Sequence, residues 1–454
     1  MAQLPADPGL DETAAQFCVA SIADWTGKAA RMLAETPELA SHSLATALVL
    51  GDVDRVRDEI ERDPDAATRS DPHTGWTALH AVCASKWPKL DPARSAGVVA
   101  TVRLLLDAGA DPNARVNPDG PSAGSSALRC AAAAASSGVE NAAVIRLLVE
   151  RGATVEDDDL YLAAFGPGDH ACLRALLDRA PGTAVVAEKA LSAPISTKDV
   201  AGARLLLDAG ADPRRFADDD GQPSAAVYAA VRADCPADLI ALLLQHGADP
   251  AEPGRDGHSP AWLATIRGRD DLAGLLGADR GGTDVADTAR FAGACVKGDR
   301  ATATAMVAAD PGLLTRLEEA ERAALVRAAE AGNAAAVALM LNLGFPIGAR
   351  NDDGATALHA AAYAGCATVV RLLIDRGADL AALDGTWDSP PLDWAIVGSG
   401  YRPTTNPDPD WPGTVRMLIE AGASTEGISL SPDAAKPPSA EVAELLRSYG
   451  VEAG

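Results

Sequence analysis

Apolar residues along this chain recur at i, i+3 and i+4. Val102, Leu105 and Leu106 follow that spacing, as do Val369, Leu372 and Leu373. The spacing lays one apolar stripe along a helix. Each stripe ends in a small, polar phrase. Leu104 to Pro112 reads Leu-Leu-Leu-Asp-Ala-Gly-Ala-Asp-Pro, and Leu205 to Pro213 repeats it letter for letter. Close variants run from Leu147 to Ala153, Leu242 to Pro250, Leu372 to Asp379 and Met417 to Ala423. Gly109 and Gly377 then stand where a left-handed residue ends a helix. Ala-Asp-Pro and Asx-Gly turns, such as Asn351-Asp352-Asp353-Gly354, lead onward.

A second phrase precedes the first within each unit. It reads Gly75-Trp76-Thr77-Ala78-Leu79-His80-Ala81, and again Gly354-Ala355-Thr356-Ala357-Leu358-His359-Ala360. Weaker forms begin at Ser126, Ser259 and Pro390. Thr or Ser there is an N-cap, so a short helix starts at each copy. The Ala residues that follow let neighbouring helices approach closely. The spacing is 33 residues from Gly344 to Gly377 and 37 from Gly210 to Gly247. One such helix pair buries too little apolar surface alone, so the units must stack.

These two phrases, recurring in register, resemble the ankyrin repeat. The likeness spans roughly residues 43 to 425, with degenerate units at both ends. It implies an all-α solenoid of about a dozen helix–turn–helix units, with short β-hairpin fingers and a concave binding surface. It implies a protein partner but names none.

Residues 1–10 read as a disordered N-terminus. Phe17 through Met32 forms a degenerate pair, closely echoed by Phe291 through Met306. The two echoes predict a first block over 11–279, a seam at 280–286 beside Gly277 to Thr283, and a second block over 287–450 closed by a helix from Ser439 to Ser448. One continuous stack with a weak central repeat is the other arrangement they allow. Two insertions separate the helices of a pair, Lys86 to Arg94 and Gly398 to Trp411, and each follows a Trp at the hairpin position, Trp76 and Trp387. Loops of this kind are where recognition residues gather.

Composition agrees with helices. Hydrophobic residues make up 48% but aromatics only 4%, so the core material is Ala, Leu and Val. Acidic residues outnumber basic ones 64 to 39, a net charge of −25, which repels phosphate backbones and favours a protein partner with a basic or mixed surface. No apolar run reaches the ~20 residues of a membrane helix. The first twenty residues carry acidic but no basic side chains, unlike a secretory signal. Seven scattered Cys without a Cys-x-x-Cys pair read as reduced thiols in the cytoplasm. Arg far exceeds Lys, 32 to 7, which with abundant Ala and Gly reads as the codon usage of a bacterial genome.

Candidate chemistry is sparse. His80 and His359 are expected to bond locally around the cap, and Trp262 takes the same position in its own unit. His80 and Cys83, with Lys86, are the only catalytic candidates. His73 and Asp71 lie close by, but the spacing suits neither a metal site nor a nucleophile–base pair. Asp157-Asp158-Asp159 and Asp218-Asp219-Asp220 read as helix N-terminal charge and solvated turns rather than calcium loops. No cofactor motif occurs. Trp76, Trp87, Trp387, Trp394 and Tyr401 are the expected partner contacts, since rigid aromatics dominate binding surfaces. A scaffold or adaptor is the first reading. The second is an enzyme acting on a small molecule in a pocket around Trp76, His80, Lys86 and Trp87.

Overall fold

The computed structural model describes residues 8–23, 25–70, 75–116, 124–166, 168–178, 189–272, 274–277, 285–400, 406–430 and 437–452. Among these, 26 α-helices form, while β structure is limited to single antiparallel bridges joining Ser70 with Thr77, Ala217 with Pro223, and Arg350 with Thr356. The expected fingers are thus present in their shortest form. The chain divides into two compact units, Met1–Arg255 and Asp256–Gly454.

In the first unit, a row of short helices begins each repeat. Leu44–Leu50, Ala78–Cys83, Ala127–Ser136, Asp157–Ala164, Ser192–Ser196 and Ala226–Arg232 each pack on the next. The second helices of the repeats form another row, in which Val53–Arg62, Arg94–Asp107, Ala142–Glu150 and Ala171–Leu177 pack in succession, as do Val200–Asp208 and Ala237–Gln245. The second unit repeats the scheme. Its first row is Pro260–Ile266, Asp287–Lys297, Ala324–Glu330, Ala357–Tyr363 and Pro391–Gly400. Ala334–Leu343, Ala367–Asp375 and Trp411–Glu420 stack behind, and Ala440–Ser448 packs on the last of them as an end helix. The Pro260–Ile266 unit, counted in the first block from sequence, therefore stands in the second unit. The expected seam lies mostly outside the described residues.

The sequence phrases become the elements they predict. Ser126 and Ser259 cap their helices by accepting hydrogen bonds from the backbone N–H of Arg129 (3.1 Å) and Trp262 (3.2 Å). The helix Ala367–Asp375 ends at Arg376, and Gly377 follows with φ +79°. Phe17 and Phe291, the two echoing positions, are both fully buried. The first helix starts at Pro8, inside the stretch read as disordered. Proline suits a first turn, where its missing N–H has no intrahelical partner in any case.

The first insertion differs from expectation. Lys86 to Arg94 is not a free recognition loop: Trp87–Leu90 is a short helix that leads into Arg94–Asp107. Trp87 is 6% exposed, its ring lies 5.8 Å from Phe17, and its Nε1–H donates to Ser21 Oγ at 2.9 Å. The insertion clasps the N-terminal helix pair, and Trp87 is core rather than a partner contact. In the second insertion Trp411 is also buried, opening the helix Trp411–Glu420, and Tyr401 lies outside the described residues.

Candidate functional site

The histidine candidates are fully engaged. His80 Nδ1 accepts from the Thr77 backbone N–H at 3.3 Å and lies 2.9 Å from Thr77 Oγ1. Its Nε2 lies 3.2 Å from the carbonyls of both Ala114 and Ser125, so the proton sits on Nε2. Burial lowers the pKa of this ring, against the opposing pull of the Ser125 and Ala114 carbonyls. His359 repeats the arrangement, with Nδ1 3.1 Å from the Thr356 N–H and Nε2 3.1 Å from the Ser389 carbonyl. Each histidine ties a helix start to the next finger, and neither ring has a nitrogen left for proton transfer. Cys83 is buried, and its thiol pKa is pushed well up by burial and then by Cys130. A thiol so raised is a poor nucleophile.

Two of the Trp candidates converge on one site in the second unit. A cavity of about 640 Å³ opens between the fingers at Asn351, Asp353, Trp387 and Ser389 and the helices bearing Glu330, Ala360, Tyr363, Asp393, Trp394 and Val397. Trp394 is the centre of an aromatic group. Its ring lies 5.6 Å from Trp387 at 66° and 5.8 Å from Tyr363 at 74°, both edge-to-face. His359 closes the back of the group at 5.5 Å. Trp387 is 58% exposed.

The fold holds this group rigidly. Asp384, only 2% exposed, accepts from the backbone N–H of Trp387 (2.6 Å), Thr386 (2.8 Å) and Ser389 (3.1 Å) and from Trp394 Nε1–H (3.0 Å). Burial opposes ionisation of Asp384, but these bonds outweigh it and leave its pKa below the usual carboxylate range. One carboxylate therefore fixes both the finger and the indole. Arg350 donates to the carbonyls of Gly354 and Leu383, and Gly385 N–H to the Asp353 carbonyl at 2.8 Å, so successive fingers are joined. Below, Gly398 brings its helix against Tyr363, whose carbonyl also accepts from Trp411 Nε1–H at 2.8 Å.

The charge of the cavity is one-sided. Asp353, Asp393 and Glu330 face it, and no Lys or Arg lines it among the described residues. Asp393 is half-buried in the first turn of Pro391–Gly400, and among the described residues its carboxylate has no hydrogen-bond or ion-pair partner. Burial alone raises its pKa. Tyr363, Asp393, Asp384 and the other acidic residues of this site were not singled out from sequence. The one available signal is that Asp393 replaces the His of the helix-start phrase, aligned with His359.

The first unit has a smaller cavity, about 350 Å³, lined by Trp76, Lys86, Arg129 and Cys130 among others. It brings together Trp76 and Lys86 from the expected pocket but not His80, Cys83 or Trp87. His80 lies behind the lining, its ring 6.0 Å from Trp76, so of the three catalytic candidates only Lys86 lines the cavity. A third cavity carries Arg214, Arg215 and Arg255, but Arg214 pairs with Asp212 at 2.9 Å and Arg255 with Asp218 at 2.7 Å. The acidic triplets are structural too. Asp159 caps the helix Asp157–Ala164 through the Glu156 N–H (2.8 Å), and Asp218 accepts from Asp220 and Gln222 in a tight turn. Among the described residues no group of three possible metal ligands occurs, and no helix is long and apolar enough to cross a membrane. His73 and Asp71 lie outside them.

Family models agree with this geometry. Ankyrin repeats in three copies match residues 291–384, and a single ankyrin repeat matches residues 74–117. The chain is an ankyrin-repeat protein, and repeats of this family generally mediate protein–protein interaction. A search of curated proteins found no match. The first matched segment contains Tyr363 and Asp384, while Trp387, Asp393 and Trp394 lie just beyond its end.

Proposed function

We propose that the chain is a non-enzymatic binding protein that holds a partner protein along the fingers and first-row helices of its second unit. The observation that carries this is the cavity walled by Trp387, Trp394 and Tyr363, in a chain with so few aromatics. Exposed, rigid aromatics with little conformational entropy to lose are the usual anchors of an interface. The acidic lining and the net charge of −25 favour a partner with a basic or mixed surface. Seven free cysteines without a disulfide support a cytoplasmic setting. The enzyme reading has less support, since the ring nitrogens of His80 are engaged in hydrogen bonds, Cys83 is buried, and neither lines the Lys86 cavity.

Affinity purification with wild type and Trp387→Ala, followed by mass spectrometry of proteins and small molecules, tests the reading. A protein enriched by the wild type and lost with Trp387→Ala is the expected result. Equal recovery by both would remove this face as the binding surface. A small molecule recovered without any protein would turn the assignment toward the groove-pocket enzyme.

A further inference from the structure

We infer that the cavity of the second unit is a receptor for one arginine side chain of the partner, with Trp387, Trp394 and Tyr363 as its walls and Asp393 as its counter-ion. The inference rests on the protein-binding reading above and adds the chemistry of the anchor.

Four observations converge. First, the walls are the faces and edges of three aromatic rings held at fixed angles by Asp384 and by mutual packing. The negative faces of such rings attract a cation, and a planar guanidinium also stacks on them. Second, Asp393 carries an unpartnered carboxylate at the wall of the cavity, half-removed from water. Such a group is destabilised in the free protein and gains from any cation that reaches it. By contrast, half-buried Asp199 faces His170 at 3.1 Å, and half-buried Asp218 faces Arg255. Third, the rim adds Asp353 and Glu330 with no basic side chain among the lining residues, so an anionic or phosphorylated ligand is repelled. Fourth, arginine fits better than lysine. A guanidinium can stack on an indole while donating two parallel hydrogen bonds to one carboxylate, which an ammonium does not do. The size of the cavity, about 640 Å³, leaves room for the residues flanking that arginine. This favours a segment of a protein over a free small cation.

The test uses the full-length chain and fluorescein-labelled heptapeptide pools with uncharged flanking positions. The central residue is arginine, lysine or citrulline. Citrulline keeps the shape of arginine and removes its charge. Fluorescence anisotropy should give the tightest binding with the arginine pool, with at least a tenfold loss on changing arginine to citrulline. Asp393→Asn and Trp387→Ala should each weaken arginine-pool binding at least tenfold, with circular dichroism and melting showing both variants folded. Trp25→Ala, which removes an equally exposed Trp from the first unit, should bind as wild type.

Equal binding of the citrulline and arginine pools, lost together in Trp387→Ala, would overturn the cation assignment and leave the protein-binding reading in place. Binding of free agmatine as tight as that of the arginine pool would overturn the choice of a protein segment. Unchanged affinity in a folded Asp393→Asn, or no binding of any pool, would overturn the proposal as a whole.

Discussion

At the scale of single residues, the decisive feature is a carboxylate in a poor environment. Burial raises the Asp393 pKa above the ordinary value of an aspartate carboxyl. Between the unfolded and folded values, the folded chain binds more protons, so stability falls as pH rises through that window. Above the folded value the penalty is constant. Asp393→Asn should therefore raise the urea midpoint at pH 7.5, and the gain should shrink as pH falls, vanishing below about 4. A lower midpoint at pH 7.5 would mean that the carboxylate already has a stabilising partner. Sequence made Trp387 and Trp394 visible because aromatics are rare in this chain. It hid Asp393 among 64 acidic residues, since lacking a partner is a property of the fold. Trp87 shows the opposite failure. It stands in an insertion and reads, like Trp387, as a partner contact, but Ser21 and Phe17, distant in sequence, decide its burial.

At the scale of elements, the repeat phrases were legible because each has a local cause. The Thr-x-x-His start, the apolar stripe and the terminal glycine act within one helix. Gly377 is a clean case: its φ is +79° and a Cβ there meets no atom within 4 Å. Gly377→Val should therefore cost only the backbone term, on the order of 1 kcal/mol. Gly398 has no such local signature. It is needed because a Cβ would overlap the Tyr363 carbonyl oxygen and crowd Trp411 Nε1. Gly398→Val should cost more, about 2–3 kcal/mol, by forcing two first-row helices apart. Equilibrium urea unfolding of the two variants checks the order. A smaller loss for Gly398→Val would show that the helices separate easily at this contact.

At the scale of the whole molecule, the stacked helix pairs were readable and the division of the chain was not. The glycine-rich stretch at Gly277 to Thr283 suggested a seam by composition. Packing places the division earlier, between Arg255 and Asp256, because Pro260–Ile266 packs on Asp287–Lys297 across that stretch. No composition change marks a boundary that depends on which helices touch. Net charge, in contrast, needs no structure, and it has a kinetic consequence. A field from −25 charges draws in a cationic segment over distances comparable to the Debye length, about 8 Å at physiological salt. The aromatic contacts and the Asp393 pair act only after docking, at short range and partly out of water. Stopped-flow binding of the arginine pool should then separate the two contributions. Raising NaCl from low to physiological strength and beyond should slow association several-fold and leave dissociation nearly unchanged. Trp387→Ala should do the reverse, speeding dissociation while keeping the salt dependence of association. If salt acted mainly on dissociation, affinity would come from exposed ion pairs on the rim, and the aromatic walls would not be the anchor.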